Sequence, residues 1–298
     1  MKRITLPILL SVALFAADPT IESNVVYAMY SGTALLMDIH RPAPGAANGY
    51  GIIHVSGSGW TAPLAYSAAE LKTNSQSLQY AKPLAAAGYT VFVVNHRSLP
   101  RFRYPAAVED VQRAVRYIRK NAAQFNINPN KIGASGGSSG GHLVSMLGAL
   151  DAKGNPDDPD PVERESAKVQ CVVARAAPTN FFEMATAGVS FLGMRVPAGK
   201  PAEISKTAEY RTYREASPFF HVTPDDPPFL LMHGDKDASV PFAQSVEMEK
   251  ALKAAGVPVK LLRVEGAAHG PTFPGAINPP DYIAEMIAWF HRHLAEKQ

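Results

Sequence analysis

KIGASGGSSGGHLVSMLGAL, residues 131–150, passes from a short apolar segment through a glycine-rich turn into a longer apolar segment. Residues 131–134 have the length of a buried strand, and the segment after Gly140 is long enough for a helix. Glycine tolerates cramped backbone conformations that other residues rarely adopt, so the glycines of this stretch permit a sharp turn. The stretch therefore predicts a strand, a tight turn and a helix in succession.

A strand–turn–helix of this kind can project a serine hydroxyl clear of the backbone, in the arrangement called a nucleophile elbow. The pattern G-x-S-x-G occurs twice here, centred on Ser135 in residues 133–137 and on Ser138 in residues 136–140. Ser138 lies immediately before the predicted helix, whereas Ser135 would leave four more residues to traverse. We therefore predict Ser138 as the nucleophile, with Ser135 as the alternative.

An acid and a histidine follow the serine in the order that such elbows require. The run PPFLLMHGDKDASVP, residues 227–241, predicts a buried strand that ends in a polar loop. Asp237 in that loop is the preferred acid and Asp235 is its rival, since either carboxylate could serve as a turn residue instead. The run VKLLRVEGAAHG predicts another strand and a loop that ends in His269. His269 is the predicted general base, with Asp237 steadying its imidazolium.

Two backbone segments could stabilise the oxyanion of a tetrahedral intermediate. The residue after the nucleophile, Ser139, offers its N–H at the start of a helix whose dipole favours negative charge. The loop SGSGW, residues 56–60, follows the predicted strand GIIHV and could present the N–H of Gly57 or Ser58. The alternative for this loop is an ordinary glycine turn.

The other histidines do not predict a metal site. His291 and His293 are two residues apart on a predicted helix, so they point to different faces. His142 and His233 lie near the predicted site, and we expect them to be hydrogen-bonded residues that orient it. The single cysteine, Cys171, can form neither an internal disulfide nor a cysteine-rich metal centre. We expect neither a metal nor a cofactor.

Around these motifs, short β-rich segments alternate with helical ones, which is typical of an α/β fold with a mostly parallel sheet covered on both faces. In residues 105–121, apolar residues recur at three- and four-residue steps, which predicts a helix whose apolar stripe faces the sheet while Arg113, Arg116 and Arg119 face solvent. The eight predicted strands are residues 25–30, 35–40, 51–55, 90–95, 131–134, 170–175, 229–233 and 259–264.

No repeat or linker divides residues 17–298, so we predict one domain. Residues 180–217 stand outside the alternation and predict a small lid-like cap insertion. Its apolar residues could line a pocket or form the underside of a cap packed on the sheet. The candidate substrate contacts are Trp60, Phe191, Leu192 and Met194.

The composition is that of a globular chain with a sizeable core: 298 residues, 46% hydrophobic and 18% charged. It excludes disordered, collagen-like and disulfide-scaffold proteins. The formal net charge is +3, without a visible basic cluster. Binding to a phosphate backbone needs clustered basic charge, so we expect no nucleic-acid partner.

Residues 1–16 have the pattern of a secretory signal peptide. Lys2 and Arg3 precede an apolar run that is too short to span a bilayer as a mature helix and that ends in the small residues Ala16 and Ala17. We therefore expect a secreted or periplasmic protein without stable membrane insertion. An uncleaved N-terminal anchor is the alternative.

Taken together, these residues resemble the α/β-hydrolase superfamily, and within it the esterases related to acetylxylan esterases, feruloyl esterases and hormone-sensitive-lipase-like carboxylesterases. The resemblance covers nearly all of the chain after its first residues. It implies an α/β-hydrolase fold, a triad of Ser138, Asp237 and His269, and an oxyanion hole in the glycine loop. The matching stretches are MDIHRP (37–42), SGSGW (56–60), NHRSLP (95–100), GGSSGGHL (136–143) and residues 104–122, 160–170 and 225–241.

The chain departs from the family pattern at two places. It has SGSGW where such esterases often have H-G-G-G-W, which retains backbone donors but changes the packing of the loop. It has Asn180 after Pro178 and Thr179, where P-T-D is frequent. The missing carboxylate near the cap leaves the substrate preference open.

These features predict a serine ester hydrolase that acts on a small-molecule or carbohydrate-linked ester, such as an acetyl or feruloyl ester. One alternative is a serine exopeptidase, because the segment HGDKDASVP, residues 233–241, also resembles hydrolases of the prolyl-oligopeptidase type. A second is a catalytically idle α/β-hydrolase that serves as a binding module.

Overall fold

A computed structural model describes residues 19–65 and 67–295, so the predicted signal peptide lies outside the described residues. Eight strands in these residues form one sheet, in the order β1-β2-β4-β3-β5-β6-β7-β8. The β1–β2 and β2–β4 pairs are antiparallel and the other pairs are parallel. The strands are β1 Thr20–Tyr30, β2 Thr33–Arg41, β3 Gly51–Val55, β4 Thr90–Val94, β5 Ile132–Gly137, β6 Cys171–Arg175, β7 Phe229–Gly234 and β8 Val259–Val264.

Helices cover both faces of the sheet, which explains why β3 to β7 are buried along their whole length. Helices α2, α3 and α7 pack on one apolar layer, and α1 and α8 pack on the other. No helix in the described part of the chain has both the length and the apolar character that a bilayer crossing requires. The helices are α1 Ser75–Ala86, α2 Ala106–Lys120, α3 Ser139–Ala149, α4 Ala185–Leu192, α5 Pro201–Ile204, α6 Ala208–Glu215, α7 Ala243–Ala254 and α8 Tyr282–Ala295.

Helix α2 has the predicted apolar stripe, with Val111, Val115 and Ile118 fully buried. Its arginines, however, are not in open solvent. Arg113 pairs with Asp160 and Glu163, and the Arg119 guanidinium donates to the carbonyls of Pro129 and Lys168. The prediction of solvent-facing arginines was wrong because residues 151–170 lie over this side of the helix.

The predicted cap region, residues 180–217, contains a 3-10 turn at Phe181–Glu183 and the short helices α4, α5 and α6. Residues on its inner side, including Phe181, Phe191 and Tyr213, are buried in the same apolar layer as α2 and α3. The underside of this segment is therefore part of the core.

Candidate active site

Ser138 occupies the sharp turn between β5 and α3. Its φ is 55° and its ψ is −124°, a positive φ that is rare and strained for any residue other than glycine. The turn is too tight for side chains at its glycines, since a Cβ at Gly136 would lie 2.4 Å from the Gly140 carbonyl oxygen. The Ser138 N–H donates to the carbonyl of Arg175 on the neighbouring strand, at 2.8 Å. These contacts fix a partly exposed Ser138 at the carboxyl edge of the sheet.

Ser135, the alternative centre of the motif, lies inside β5 rather than in the turn. It is 2% exposed, and its hydroxyl is 2.6 Å from His54 Nδ1 on β3. A serine in this position has neither the projecting backbone nor the solvent access of Ser138.

His269 contacts both other predicted triad residues. Its Nε2 is 3.0 Å from Ser138 Oγ, and its Nδ1 is 2.6 Å from Asp237 Oδ2. When Nδ1 carries the ring proton and makes a hydrogen bond to the carboxylate, Nε2 is unprotonated and can accept a hydrogen bond from the serine hydroxyl. The structure thus brings together three residues that lie up to 131 positions apart in the chain.

The Asp237 carboxylate is held by several donors. Its Oδ1 accepts the N–H groups of Ser239 and Val240, at 2.9 and 2.8 Å, and His233 Nε2 lies 3.4 Å from its Oδ2. Burial acts to raise the pKa of this group, but the hydrogen bonds from His233, His269 and Val240 outweigh burial and hold the pKa well below its ordinary value. Asp237 is therefore ionised at neutral pH.

Asp235, the rival acid, has a different environment. Its carboxylate accepts from the Arg263 guanidinium, at 2.6 and 2.9 Å, and from the N–H of Gly266. The hydrogen bond from Arg263 lowers the pKa of Asp235 below its ordinary value. This carboxylate binds Arg263 in β8 and Gly266 just after it, and it does not contact His269.

The loop that follows β3 packs directly on the elbow. The Ser58 N–H donates to Ser139 Oγ at 2.8 Å. A Cβ at Gly57 would lie 2.7 Å from the Gly137 carbonyl oxygen and 3.0 Å from Ser138 Cβ, so only glycine allows this approach. Gly57, Ser58 and Ser139, the predicted oxyanion residues, therefore lie beside Ser138.

His142 and His233 are both fully buried and hydrogen-bonded. His142 Nδ1 accepts from Trp60 Nε1 at 3.1 Å and its Nε2 donates to the Ala216 carbonyl at 2.8 Å. Burial lowers the pKa of His142 to about 4, so its ring is neutral. His233 Nε2 donates to the carbonyl of Val240, in the loop that carries Asp237. Each ring holds a loop of the site in place, as the sequence predicts.

A cleft of about 470 Å³ opens beside the loops that carry Ser58 and Asp237. Of the four predicted substrate contacts, Trp60 lines it. Phe191 and Leu192 are 1% and 5% exposed and lie in the core beneath the cleft, where Phe191 stacks on Trp60 with ring centroids 4.5 Å apart. Met194 is half-buried against the same core. The cleft is lined by Gly59, Trp60, Glu183, Met184, Thr186, Ala187, Ser190, Ala238, Ser239 and Pro241.

Sequence reasoning missed two residues of this region. Glu183 contributes a carboxylate to the cleft wall, and no pattern in the sequence marks it. Arg175 lies beneath the elbow, and its guanidinium donates to the carbonyl of Gly270 at 2.8 Å. A lone arginine within the apolar run CVVARAAP, residues 171–178, was a usable signal. In the described residues, no group of three or more His, Cys, Asp or Glu side chains is arranged to hold a metal.

Known proteins with similar sequences include esterases and acylamino-acid-releasing enzymes. Esterase LipQ of Mycobacterium tuberculosis is 31% identical over 76% of this chain, and Esterase LipC of the same organism is 30% identical over 72%. The chain spans about half the length of both relatives, 51% and 53%. Acylamino-acid-releasing enzyme of Rattus norvegicus is 27% identical over 71% of this chain, which spans 28% of that enzyme.

A solved structure and a family model agree with this result. The truncated form of a carbohydrate esterase from gut microbiota superposes with a TM-score of 0.76 at 28% identity, covering 95% of this chain and 99% of that one. The model of the BD-FAE family matches residues 37–252. With well over half of its length matched and the fold shared, this chain is a member of the BD-FAE family and has the α/β-hydrolase fold.

Proposed function

We propose that this protein is a serine ester hydrolase with Ser138 as nucleophile, His269 as general base and Asp237 as the orienting acid. The observation that carries the proposal is the pair of contacts made by His269, 3.0 Å to Ser138 Oγ and 2.6 Å to Asp237 Oδ2. The names of LipQ, LipC and the carbohydrate esterase support the reaction class.

In the acylation step, Ser138 Oγ forms a bond to the ester carbonyl carbon while His269 Nε2 takes the hydroxyl proton. The carboxylate of Asp237 stabilises the resulting imidazolium. Collapse of the tetrahedral intermediate breaks the bond to the alcohol oxygen, which receives the proton from His269. A water molecule, deprotonated by His269, then hydrolyses the acyl-enzyme and returns Ser138 to its starting state.

The oxyanion that develops in both steps would be stabilised by backbone N–H groups at the elbow. Ser139, at the first position of α3, supplies one donor, and the loop after β3 supplies another through Gly57 or Ser58. In the free protein, the Ser58 N–H is bonded to Ser139 Oγ. Its use would require that bond to exchange for one to the substrate. A donor of this kind contributes about 2.7–4 kcal/mol to transition-state stabilisation.

We further propose that the alcohol part of the substrate is a carbohydrate. The carbohydrate esterase named above supports this class, as does an acetylxylan esterase of Xylanibacter ruminicola that is 34% identical over 36% of this chain. The cleft beside the loops that carry Ser58 and Asp237 is lined in part by the exposed residues Glu183 and Ser190, whose carboxylate and hydroxyl can accept hydrogen bonds from sugar hydroxyls.

An exopeptidase is the second candidate, and the similarity to acylamino-acid-releasing enzyme favours it. The two activities separate in one assay series with acetylated xylo-oligosaccharides, p-nitrophenyl acetate and N-acetyl-alanine p-nitroanilide. Turnover of the esters with negligible turnover of the anilide supports the esterase. The reverse order supports the exopeptidase.

The nucleophile is tested by replacing Ser138 with alanine. We expect kcat to fall by about 10⁶, because the attacking oxygen is removed. Ser135→Ala is the matched control in the same motif, and it should retain turnover since Ser135 lies inside the sheet. Labelling with an organophosphonate followed by peptide mapping should modify Ser138. Labelling of Ser135, or near-normal activity of Ser138→Ala, would refute the assignment.

A further inference from the structure

Arg175 is bonded to the nucleophile turn through its backbone. It is the last residue of β6 and lies directly opposite Gly137 in the sheet register. Its carbonyl accepts the Ser138 N–H at 2.8 Å. The main chain of Arg175 therefore fixes the position from which the serine projects.

The side chain of the same residue reaches the loop that carries His269. Nη1 donates to the Gly270 carbonyl at 2.8 Å, and Nη2 donates to Gln76 Oε1 at 3.3 Å. The guanidinium also lies 5.3 Å from the centre of the Tyr80 ring. The Tyr80 hydroxyl donates to the carbonyl of Pro271 at 2.6 Å. Arg175 and Tyr80 thus hold two successive carbonyls that follow the base.

The burial of this arginine calls for an explanation. Arg175 is 3% exposed, and no carboxylate pairs with it in residues 19–65 and 67–295. Burying an unpaired charge is unfavourable, since it loses hydration without the compensation of an ion pair. A residue that only filled space here would be apolar.

Gly137 is required for the guanidinium to lie where it does. A Cβ at this position would be 2.0 Å from Arg175 Nη2. The last glycine before Ser138 therefore makes room for the arginine beneath the elbow. Its role is separate from the backbone freedom that the turn itself needs.

We propose that Arg175 is a positioning residue that fixes the separation between Ser138 and His269. One residue connects the two, with a backbone hydrogen bond to the serine and a side-chain hydrogen bond to the residue after the histidine. This inference rests on the proposed function of Ser138 and His269. Without the guanidinium, the carbonyl of Gly270 loses its donor and the histidine loop relaxes away from the elbow.

A displacement of this kind lowers kcat more than it changes KM, because it affects the reacting atoms and leaves the cleft intact. A misplacement of about 1 Å at the reacting centre can reduce the rate about 100-fold. Lysine is an incomplete substitute, since it supplies a single flexible ammonium where arginine supplies a planar set of donors.

The experiment compares Arg175→Met and Arg175→Lys with Arg119→Met, using p-nitrophenyl acetate. Arg119 is the matched control, because its side chain also donates to backbone carbonyls in a partly buried site, but to those of Pro129 and Lys168, outside the elbow and the histidine loop. With active protein counted by phosphonate titration, we expect kcat of Arg175→Met to fall about 10- to 100-fold while KM stays within about threefold. Arg175→Lys should lie between Arg175→Met and the wild type, and Arg119→Met should lower stability without changing kcat.

A kcat for Arg175→Met within twofold of the wild type would overturn the inference, as would an equal loss in Arg119→Met. If Arg175→Met does not fold, Arg175→Lys decides: a reduced kcat at unchanged KM supports the role, and wild-type values contradict it. If the wild type hydrolyses no ester, the proposed function fails instead. A crystal structure of Arg175→Met then tests the inference, which predicts that the His269–Ser138 hydrogen bond is lost. A retained bond contradicts it.

Discussion

Asp235 and Asp237 lie two positions apart, yet their carboxylates have different partners. The Asp237 carboxylate accepts hydrogen bonds from two backbone N–H groups and from the imidazole of His269. Asp235 receives the Arg263 guanidinium at the exposed end of the sheet. Of the two carboxylates, Asp237 is the one that contacts His269, which in turn contacts Ser138.

Asparagine substitutions at these two positions form a matched pair. Asp237→Asn should lower kcat by about 10⁴, because the amide cannot hold the required tautomer of His269 or stabilise its imidazolium. Asp235→Asn keeps an acceptor for the Gly266 N–H and loses an ion pair with an exposed arginine, so kcat should stay within about tenfold of the wild type. Steady-state kinetics on p-nitrophenyl acetate provide the measurement. Equal losses in the two variants would contradict the assignment of Asp237.

The sequence predicts the individual residues that the structure brings together, because each belongs to a local pattern. Ser138 follows from its distance to the next helix, and His269 from its place after the last strand. Arg175 and Glu183 could not be placed in this way. Their positions depend on which loops meet at the edge of the sheet, and that meeting is a property of the folded chain.

At the scale of elements, helix α3 approaches strand β3 more closely than side chains permit. A Cβ at Gly140 would lie 2.1 Å from the Val55 carbonyl oxygen and 2.7 Å from that of Ser56. The first turn of α3 therefore rests directly on the backbone at the end of β3. This contact sets the distance between the elbow and the loop at residues 56–60.

Gly140→Ala should separate the two elements and destabilise the protein by about 3 kcal/mol or more, because the atoms that clash are backbone and cannot rotate away. Ser145→Ala in the same helix is the control. It removes only a bond to the Gly141 carbonyl and should lower stability by about 1 kcal/mol. Urea unfolding followed by circular dichroism gives both values. If the Gly140→Ala variant were as stable as the control, α3 could move away from β3 without loss of stability, which would contradict the prediction.

All eight predicted strands are present, because strands buried on both faces appear as short apolar runs between turns. The ends are less well predicted, and β1 begins at Thr20 rather than at residue 25. It lies at the edge of the sheet, where exposed polar residues can continue the pairing. The short helices of residues 180–217 were not predicted individually, since they are stabilised by contact with the core more than by their own periodicity.

At the scale of the whole molecule, several histidines are buried as neutral imidazoles. Burial lowers the pKa of His142 from 6.5 to about 4 and that of His54 from 6.5 to about 3. The unfolded chain binds these protons below about pH 6.5, whereas the folded protein does not. The free energy of unfolding therefore decreases as the pH falls from 6.5 toward 4.

Each such histidine contributes a slope of about 1.4 kcal/mol per pH unit within this window. Unfolding in urea at pH 7, 6, 5 and 4.5 should show a steep loss of stability for the wild type. His142→Gln removes one titrating group. Between pH 6 and 4.5, the free energy of unfolding of this variant should therefore depend less steeply on pH, by the equivalent of about one proton taken up on unfolding. If the free energy of unfolding had the same pH dependence in the wild type and in His142→Gln, then His142 would be protonated in the folded protein as readily as in the unfolded chain.

The α/β-hydrolase fold was predictable as a whole because the order of strands and helices restricts the topology strongly. The surroundings of helix α2 were not. Periodicity shows which face of a helix is apolar, but it does not show that residues 151–170 return to cover the opposite face and pair with Arg113. Contacts between segments this far apart in the chain produce no periodic pattern in the sequence.

The stack of Phe191 on Trp60 has a consequence for how this protein could diversify. It fastens the inner side of the 180–217 segment to the interior, while Glu183, Thr186 and Ser190 on the outer side remain exposed. Substitutions at those three positions should leave the stack of Phe191 on Trp60 unchanged. For the proposed esterase, we therefore expect that substitutions at these three positions alone change the preferred alcohol, and that a mutant library confined to them stays soluble.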